Sequence, residues 1–359
     1  MIVHAMSDNP LRSTRNRRSQ QAPGWIAPAL AGILALAVTW GTGVTVFRSS
    51  LENHGLPREL QGASADEQTA YRYGAQLADL GARAQALAAL AGKDQGQPLQ
   101  QLAGSLKSSA ALFGELRYSS DNALHLPSSY SAQEVEKLAA DVAGLASSLP
   151  EFEQVDYQRN ELLAGIAFQT SFDARQALAA AAGAKQAGKL PAPLSAMAQD
   201  GSSQAKVSCL TDDSRLEGTV DAADKVDAGS VALARALERG YSLDYLLQLQ
   251  AARGARTEAG AVEQSRAQLA GQLAALREAL EGQCPDSRQL AYALPEDGLA
   301  HLPQLAAQAS SDFSRALVSA AGNLEGESQQ AAAEAAFERI AAQQDSSQAL
   351  DLVRTAARN

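Results

Sequence analysis

Apolar residues recur along most of this chain at alternating steps of three and four. Tyr73, Leu77, Leu80, Ala84, Leu87 and Ala91 make one such stripe, a spacing that lines a single face of a helix. Ser64 followed by Glu67 supplies a capping box at its start, and Gly92 marks its end. A second helix is predicted from Pro98, near a helix start, through Leu99, Leu102, Leu106, Phe113 and Leu116, with Ser109 in the gap. Residues 119–130 read as a loop, and Ser131 with Glu134 opens a third helix carrying Val135, Leu138, Val142, Leu145 and Leu149 up to Pro150. A fourth helical stretch runs from Glu151 to Gly188, with Phe152, Val155, Leu162, Ile166 and Phe172 as its apolar side and Arg159 and Gln169 interrupting it. Four helices of this kind can bury their stripes together as an antiparallel bundle.

The second half repeats the helical pattern less regularly. A helix is expected from Asp212 to Arg239 despite Gly218 and Gly229, and another from Ser242 through Leu249. The stripe resumes at Val262, Leu269, Leu273, Leu276 and Leu280 before Cys284-Pro285; residues 285–298 read as a loop. The last helices are expected over 299–322, 327–343 and 347–357, with Gly322 and Asn323 at a C-cap. Ser109 to Pro127 and Gln272 to Pro295 share the order helix, polar loop, Leu-Pro, an internal echo that two tandem helical modules would explain. The fold class expected is all-α.

A different pattern precedes these stripes. Residues 25–47 are an uncharged apolar run of 23 residues, and about 20 suffice for a transmembrane helix. Arg12, Arg15, Arg17 and Arg18 precede it and only Arg48 follows closely, so the positive-inside rule keeps the N-terminus in the cytoplasm. The competing reading is a cleaved signal peptide, with Ala35 and Ala37 forming an A-x-A-like site. The apolar run continues ten residues past Ala37, which favours an uncleaved anchor. The organisation expected is a basic cytoplasmic stub over 1–24, a transmembrane anchor over 25–47 and a tether over 48–63. A first periplasmic helical bundle follows over 64–190, and a second helical module over 191–359.

Composition supports that picture. Of the 359 residues 46% are hydrophobic but only 5% aromatic; Ala and Leu dominate, and the residues that suit pleated strands are scarce. The first 48 residues hold five Arg and one Asp, which leaves 25 basic and 39 acidic residues for the remainder. An acidic exported domain argues against nucleic acid as a partner and against adhesion to anionic lipid headgroups. The Arg- and Ala-rich usage suits a GC-rich bacterial genome, and hence a bacterial inner membrane with the bulk of the chain in the periplasm.

Signatures of chemistry are sparse. His4, His54, His125 and His301 are widely spaced with no metal-ligand step between them, so neither a metal nor another cofactor is expected. Ser203-Gln204-Ala205-Lys206 and Ser120-Asp121-Asn122 imitate penicillin-recognising motifs. They stand in the reverse order and lack K-T-G, so no catalytic residue is assigned. Cys209 and Cys284 lie in the exported part, and a disulfide between them would close roughly 75 residues and stabilise by about 4 kcal/mol in the chain-entropy model. Arg72, Tyr73 and Arg83 on the first helix and Tyr157 and Arg159 on the fourth are the candidate ligand or partner contacts. Arg159 falls on the expected seam, where a charge is costly unless it pairs.

The membrane run followed by Leu80-Gly81-Ala82-Arg83-Ala84-Gln85-Ala86-Leu87, then Ala91-Gly92-Lys93, Leu102, Phe113, Leu116 and Leu126-Pro127, resembles the periplasmic sensing module of type IV pilus chemoreceptors. The likeness covers residues 70–130. It implies a helical bundle that senses pilin or a small ligand outside the cell. The family's Ser-Gln-Arg core, second span and cytoplasmic signalling hairpin are missing here, so the output would pass through another protein. Three functions follow as expectations. The first is a non-enzymatic, single-pass inner-membrane protein whose helical domain docks partners in a pilus, secretion or signalling assembly. The second is a ligand-binding sensor with a pocket lined by Tyr and Arg, and the third is a regulator of a cell-wall enzyme.

Overall fold

The computed structural model describes residues 63–113, 126–153, 157–197, 228–253, 259–280 and 288–344. The apolar run 25–47, both cysteines, His4, His54, His125, the two penicillin-type motifs and the segment 347–357 lie outside the described residues. Among the described residues no helix is long and apolar enough to cross a membrane.

Secondary structure in the described residues is helical throughout. The first four long helices are α1 (Ala65–Leu90), α2 (Lys93–Ala111), α3 (Ala132–Ala146) and α4 (Tyr157–Ala182), and a short α5 (Ala184–Ala187) follows Gly183. The second group is α6 (Ala228–Arg253), α7 (Ala259–Glu278), α8 (Leu302–Asn323) and α9 (Gly326–Gln344). At the start of α1 the expected capping box is complete: Ser64 Oγ accepts from Glu67 N–H at 3.2 Å, and Glu67 Oε2 accepts from Ser64 N–H at 2.8 Å. At α3, Ser131 Oγ accepts from Glu134 N–H at 3.1 Å. These side chains satisfy donors that an isolated helix start leaves open.

The two groups share one neighbour pattern. In the first, α1 packs on α2 and α3, and α4 packs on the same two; in the second, α6 packs on α7 and α8, and α9 packs on those two. Each group encloses a core. Leu77, Leu87, Leu99, Leu102, Leu106, Leu138, Leu163, Ile166 and Leu178 fill the first. Leu233, Leu237, Leu269, Leu273, Phe313, Leu317 and Ile340 fill the second, together with Phe168 and Phe172 of α4.

Helix α4 thus belongs to both cores, with Leu163, Ile166 and Ala177 on one side and Ala164, Ala167, Phe168 and Phe172 on the other. Residues 163–174 are buried without interruption, as expected of a helix enclosed on all sides. Here the structure corrects the single apolar side read for this stretch. Gln169 is no break in that side: its Nε2 donates to Asp173 Oδ2 at 3.1 Å, and Gln101 Nε2 donates to Asp173 Oδ1 at 2.8 Å. Hydrogen-bonded polar groups can be buried at little net cost.

Two further expectations change. Ser242 does not open a helix but lies inside the continuous α6. Gly240 lies within that helix, and a Cβ there would stand 2.5 Å from Leu273 Cδ2 and 3.0 Å from Phe313 Cε2, so the glycine permits close packing of α6 on α7 and α8. Gly322 and Asn323 are the last residues of α8 rather than its cap, which is Leu324. A Cβ at Gly322 would lie 2.6 Å from Asn160 O and 2.8 Å from Ala164 Cβ, so this glycine permits the close crossing of α8 over α4. After α5 the chain turns back under α3, where Leu194 N–H donates to Ala146 O at 2.9 Å. Leu194 takes φ +60 there and is 2% exposed.

Candidate functional site

The five residues nominated from sequence fall into separate structural contacts. Arg72 is exposed on α1. Tyr73 is buried, and its ring meets Phe113 edge-on at 5.3 Å. Burial alone raises its phenol well above the usual range. Arg83 Nη1 pairs with Asp141 Oδ2 at 2.8 Å, tying α1 to α3. Arg159 Nη1 pairs with Asp66 Oδ2 at 3.2 Å, and its guanidinium sits 4.8 Å above the Phe152 ring. The other Asp66 oxygen accepts from Glu153 N–H at 2.5 Å. The charge expected on the seam is therefore present, paired and stacked.

Tyr157 stands where the two cores meet. Its phenol accepts from Arg235 Nη1 at 3.0 Å and shares a hydrogen bond with Ser319 Oγ at 2.8 Å. Its backbone oxygen accepts from Asn323 Nδ2 at 3.3 Å, and the Arg235 guanidinium lies 5.0 Å from the ring centre. Burial, helped by Glu161, pushes the phenol up to about 12 against the opposing pull of Arg235 and Ser319. These contacts join α4, α6 and α8. Tyr157 and Arg159 sit on one turn of α4 and diverge, so no common pocket forms from the nominated residues.

A different group does converge. Residues 288–297 form a non-helical arm before α8 that lies against α6. The Arg288 guanidinium stacks 4.9 Å over the Tyr241 ring, and Tyr292 meets Tyr245 at 5.7 Å between ring centres. Tyr241 and Tyr245 are four apart on α6, hence on one face. Arg277 Nη1 donates to Tyr241 Oη at 3.5 Å. Farther along, Leu294 joins a small cluster of Leu246, Leu302 and Ala306.

The arm ends in a turn at Asp297, whose φ is +64, a conformation that Asp tolerates better than most residues. On this frame Leu290 is 104% exposed and Leu299 44%.

Tyrosine and arginine around exposed leucines are the residues that dominate the energy of protein interfaces. Among the described residues no group of three His, Cys, Asp or Glu side chains could hold a metal ion. Sequence reading missed the surface because residues 285–298 read only as a loop. The available signal was a tyrosine, Tyr292, two residues after Leu290 in that loop, together with Tyr241 and Tyr245 at a helical step of four. No protein-family model matches the chain, and comparison with curated proteins and with solved structures finds no significant match.

Proposed function

We propose that this chain is a non-enzymatic, single-pass inner-membrane protein, anchored by residues 25–47, whose periplasmic helical domain docks partner proteins of an envelope assembly. The observation that carries the reading is the Tyr–Arg–Leu surface around residues 288–299, with Leu290 fully outside the fold. Single exposed leucines are ordinary. This one stands on an arm braced by two aromatic contacts, and a second exposed leucine, Leu299, follows at the end of that arm. Burying Leu290 against a partner would contribute roughly 1.5–3 kcal/mol, and Leu299, 44% exposed, correspondingly less.

The proposal extends to the organisation of the domain. The echo between residues 109–127 and 272–295 falls in both groups between the second helix and the third, which supports two tandem modules of common origin. The likeness of residues 70–130 to a chemoreceptor sensing module fits a docking component whose output runs through its partner. A Cys209–Cys284 disulfide belongs to the same proposal and would brace the base of the arm.

Crosslinking and affinity capture of the full-length protein from its native membrane tests the reading, with the Leu290→Asp/Leu299→Asp variant in parallel. Recovery of stoichiometric envelope proteins by the native chain, lost in the variant, is the expected result. Equal recovery by both would remove this surface from the proposal, and recovery of nothing by either would end the docking reading.

A further inference from the structure

The arm carries an open backbone. Among the described residues, 290–294 make no backbone hydrogen bond, and no residue of 288–297 is paired as a strand. Exposure alternates along the arm. Ala291, Ala293 and Pro295 are exposed, while Tyr292 is half-buried against Tyr245 of α6 and Leu294 against the Leu246–Leu302–Ala306 cluster. That is the period of a β-strand with one face covered. Leu294 precedes Pro295, and a following proline steers a residue toward the same backbone region. A strand whose N–H and C=O groups are unpaired is a template for another chain.

The residue order points to which chain. Leu290-Ala291-Tyr292-Ala293-Leu294 reads identically in both directions. Two copies laid antiparallel about a two-fold axis at Tyr292 therefore set Leu290 opposite Leu294, Ala291 opposite Ala293 and Tyr292 opposite itself. A two-fold interface requires this kind of match, in which residue i meets j and j meets i. The pairing also gives a neighbour to Leu290, which is 104% exposed in its own chain. It sets that leucine across from Leu294 of the second copy, which joins the Leu246–Leu302–Ala306 cluster. One step further out Gln289 would face Pro295, which has no N–H, so the pairing stops where the symmetry does.

We propose that the arm is a self-association edge: two copies of this chain pair antiparallel through residues 290–294, and the second copy occupies this surface. The inference rests on reading the surface as a docking site, and envelope partners would then meet it as a pair. Five residues a side make a small interface, of the size that gives reversible contacts. Copies held in one membrane by the proposed anchor meet at high effective concentration, which favours such a contact.

The test is sedimentation equilibrium of the full-length protein in density-matched detergent, loaded up to about 1 mM so that even a weak pairing is populated. The native chain is compared with Ala291→Lys/Ala293→Lys and with Ala291→Asp/Ala293→Lys. Both positions are exposed, and circular dichroism reports whether each variant keeps its helices. The two-fold register sets lysine opposite lysine in the first variant and aspartate opposite lysine in the second. The native chain should dimerise reversibly, the first variant should associate about tenfold or more weakly, and the second should stay within a few-fold of the native chain. A native chain that is monomeric throughout overturns the proposal. So does association unchanged in the Lys/Lys variant, or association equally weak in both. Capture of envelope proteins is scored separately: a monomeric chain that still recovers them keeps the docking reading without the two-fold, and a dimer that recovers none keeps the two-fold without the docking of other proteins.

Discussion

Two ion pairs of similar length should differ in consequence, because their surroundings differ. Arg159 and Asp66 have side chains 14% and 18% exposed, whereas Asp141, the partner of Arg83, is 43% exposed. Asp66→Ala would leave a guanidinium partly out of water and remove the acceptor of Glu153 N–H as well. The expected loss is about 1–3 kcal/mol. Arg83→Ala, at a pair screened by solvent, should lose less than about 1 kcal/mol. Urea midpoints of the two variants at constant slope measure the difference, and an equal loss would contradict this account. The sequence showed that Arg159 needed a partner, since its heptad position placed a charge on the seam. It did not show which one, because Asp66 lies 93 residues away, and such separations are set by packing rather than by local pattern.

Tyr157 carries a pH signature. Its phenol titrates near 12 in the folded protein, above the ordinary value of about 10 in an unfolded chain. The unfolded state therefore releases that proton first. Tyr157 contributes its full share of stability below about pH 10, and the share is lost as pH rises toward 12. Arg339 works in the opposite sense, since burial lowers its guanidinium to about 10, so the total alkaline slope mixes both. Tyr157→Phe isolates the phenol: the variant should be less stable than the native chain at pH 8 by about 1 kcal/mol, for the lost hydrogen bonds. That gap should narrow between pH 10 and 12. Chemical unfolding at pH 8, 10 and 11.5 gives the comparison, and a gap independent of pH would refute the assignment.

At the scale of elements, the glycines separate what a pattern can show from what it cannot. Gly104 and Gly322 both sit in helices, yet nothing lies within 4 Å of a Cβ at Gly104 while backbone lies 2.6 Å from one at Gly322. Gly104→Ala should stabilise the protein by about 0.5–1 kcal/mol through helix propensity and a less flexible unfolded chain. Gly322→Ala should destabilise it by about 1–3 kcal/mol or more, because α8 must move off Asn160 and Ala164 of α4. Thermal unfolding of the pair distinguishes the signs. Local pattern yielded the caps of α1 and α3, their apolar stripes and the all-helical class. It split α6 at Ser242 and ended α8 at Gly322, a glycine that serves close packing against α4 rather than a cap. The arm 288–297 escaped notice for a related reason: its tyrosine contacts depend on α6 passing beneath it.

At the scale of the molecule, α4 decides how the halves relate. A helix with one apolar stripe closes one bundle; a helix buried all round closes two. Because Phe168 and Phe172 sit in the second core while Leu163 and Ile166 sit in the first, a chain divided near residue 190 would take those phenylalanines from the group they fill. Losing a buried phenylalanine side chain costs about 3–5 kcal/mol. Two such losses approach or exceed the 5–15 kcal/mol that holds a typical domain together. A fragment of residues 191–359 should therefore be largely unfolded or molten, while residues 64–359 should unfold in a single transition. Exposed apolar surface, read by dye binding and by poor dispersion of amide resonances, is the expected mark of the shorter piece. Two well-separated transitions in the longer one, or a cooperatively folded shorter one, would show that the second core closes without α4. The shared helix also means that a load on either group is felt by the other, since α4 cannot shift in one core without repacking against the other.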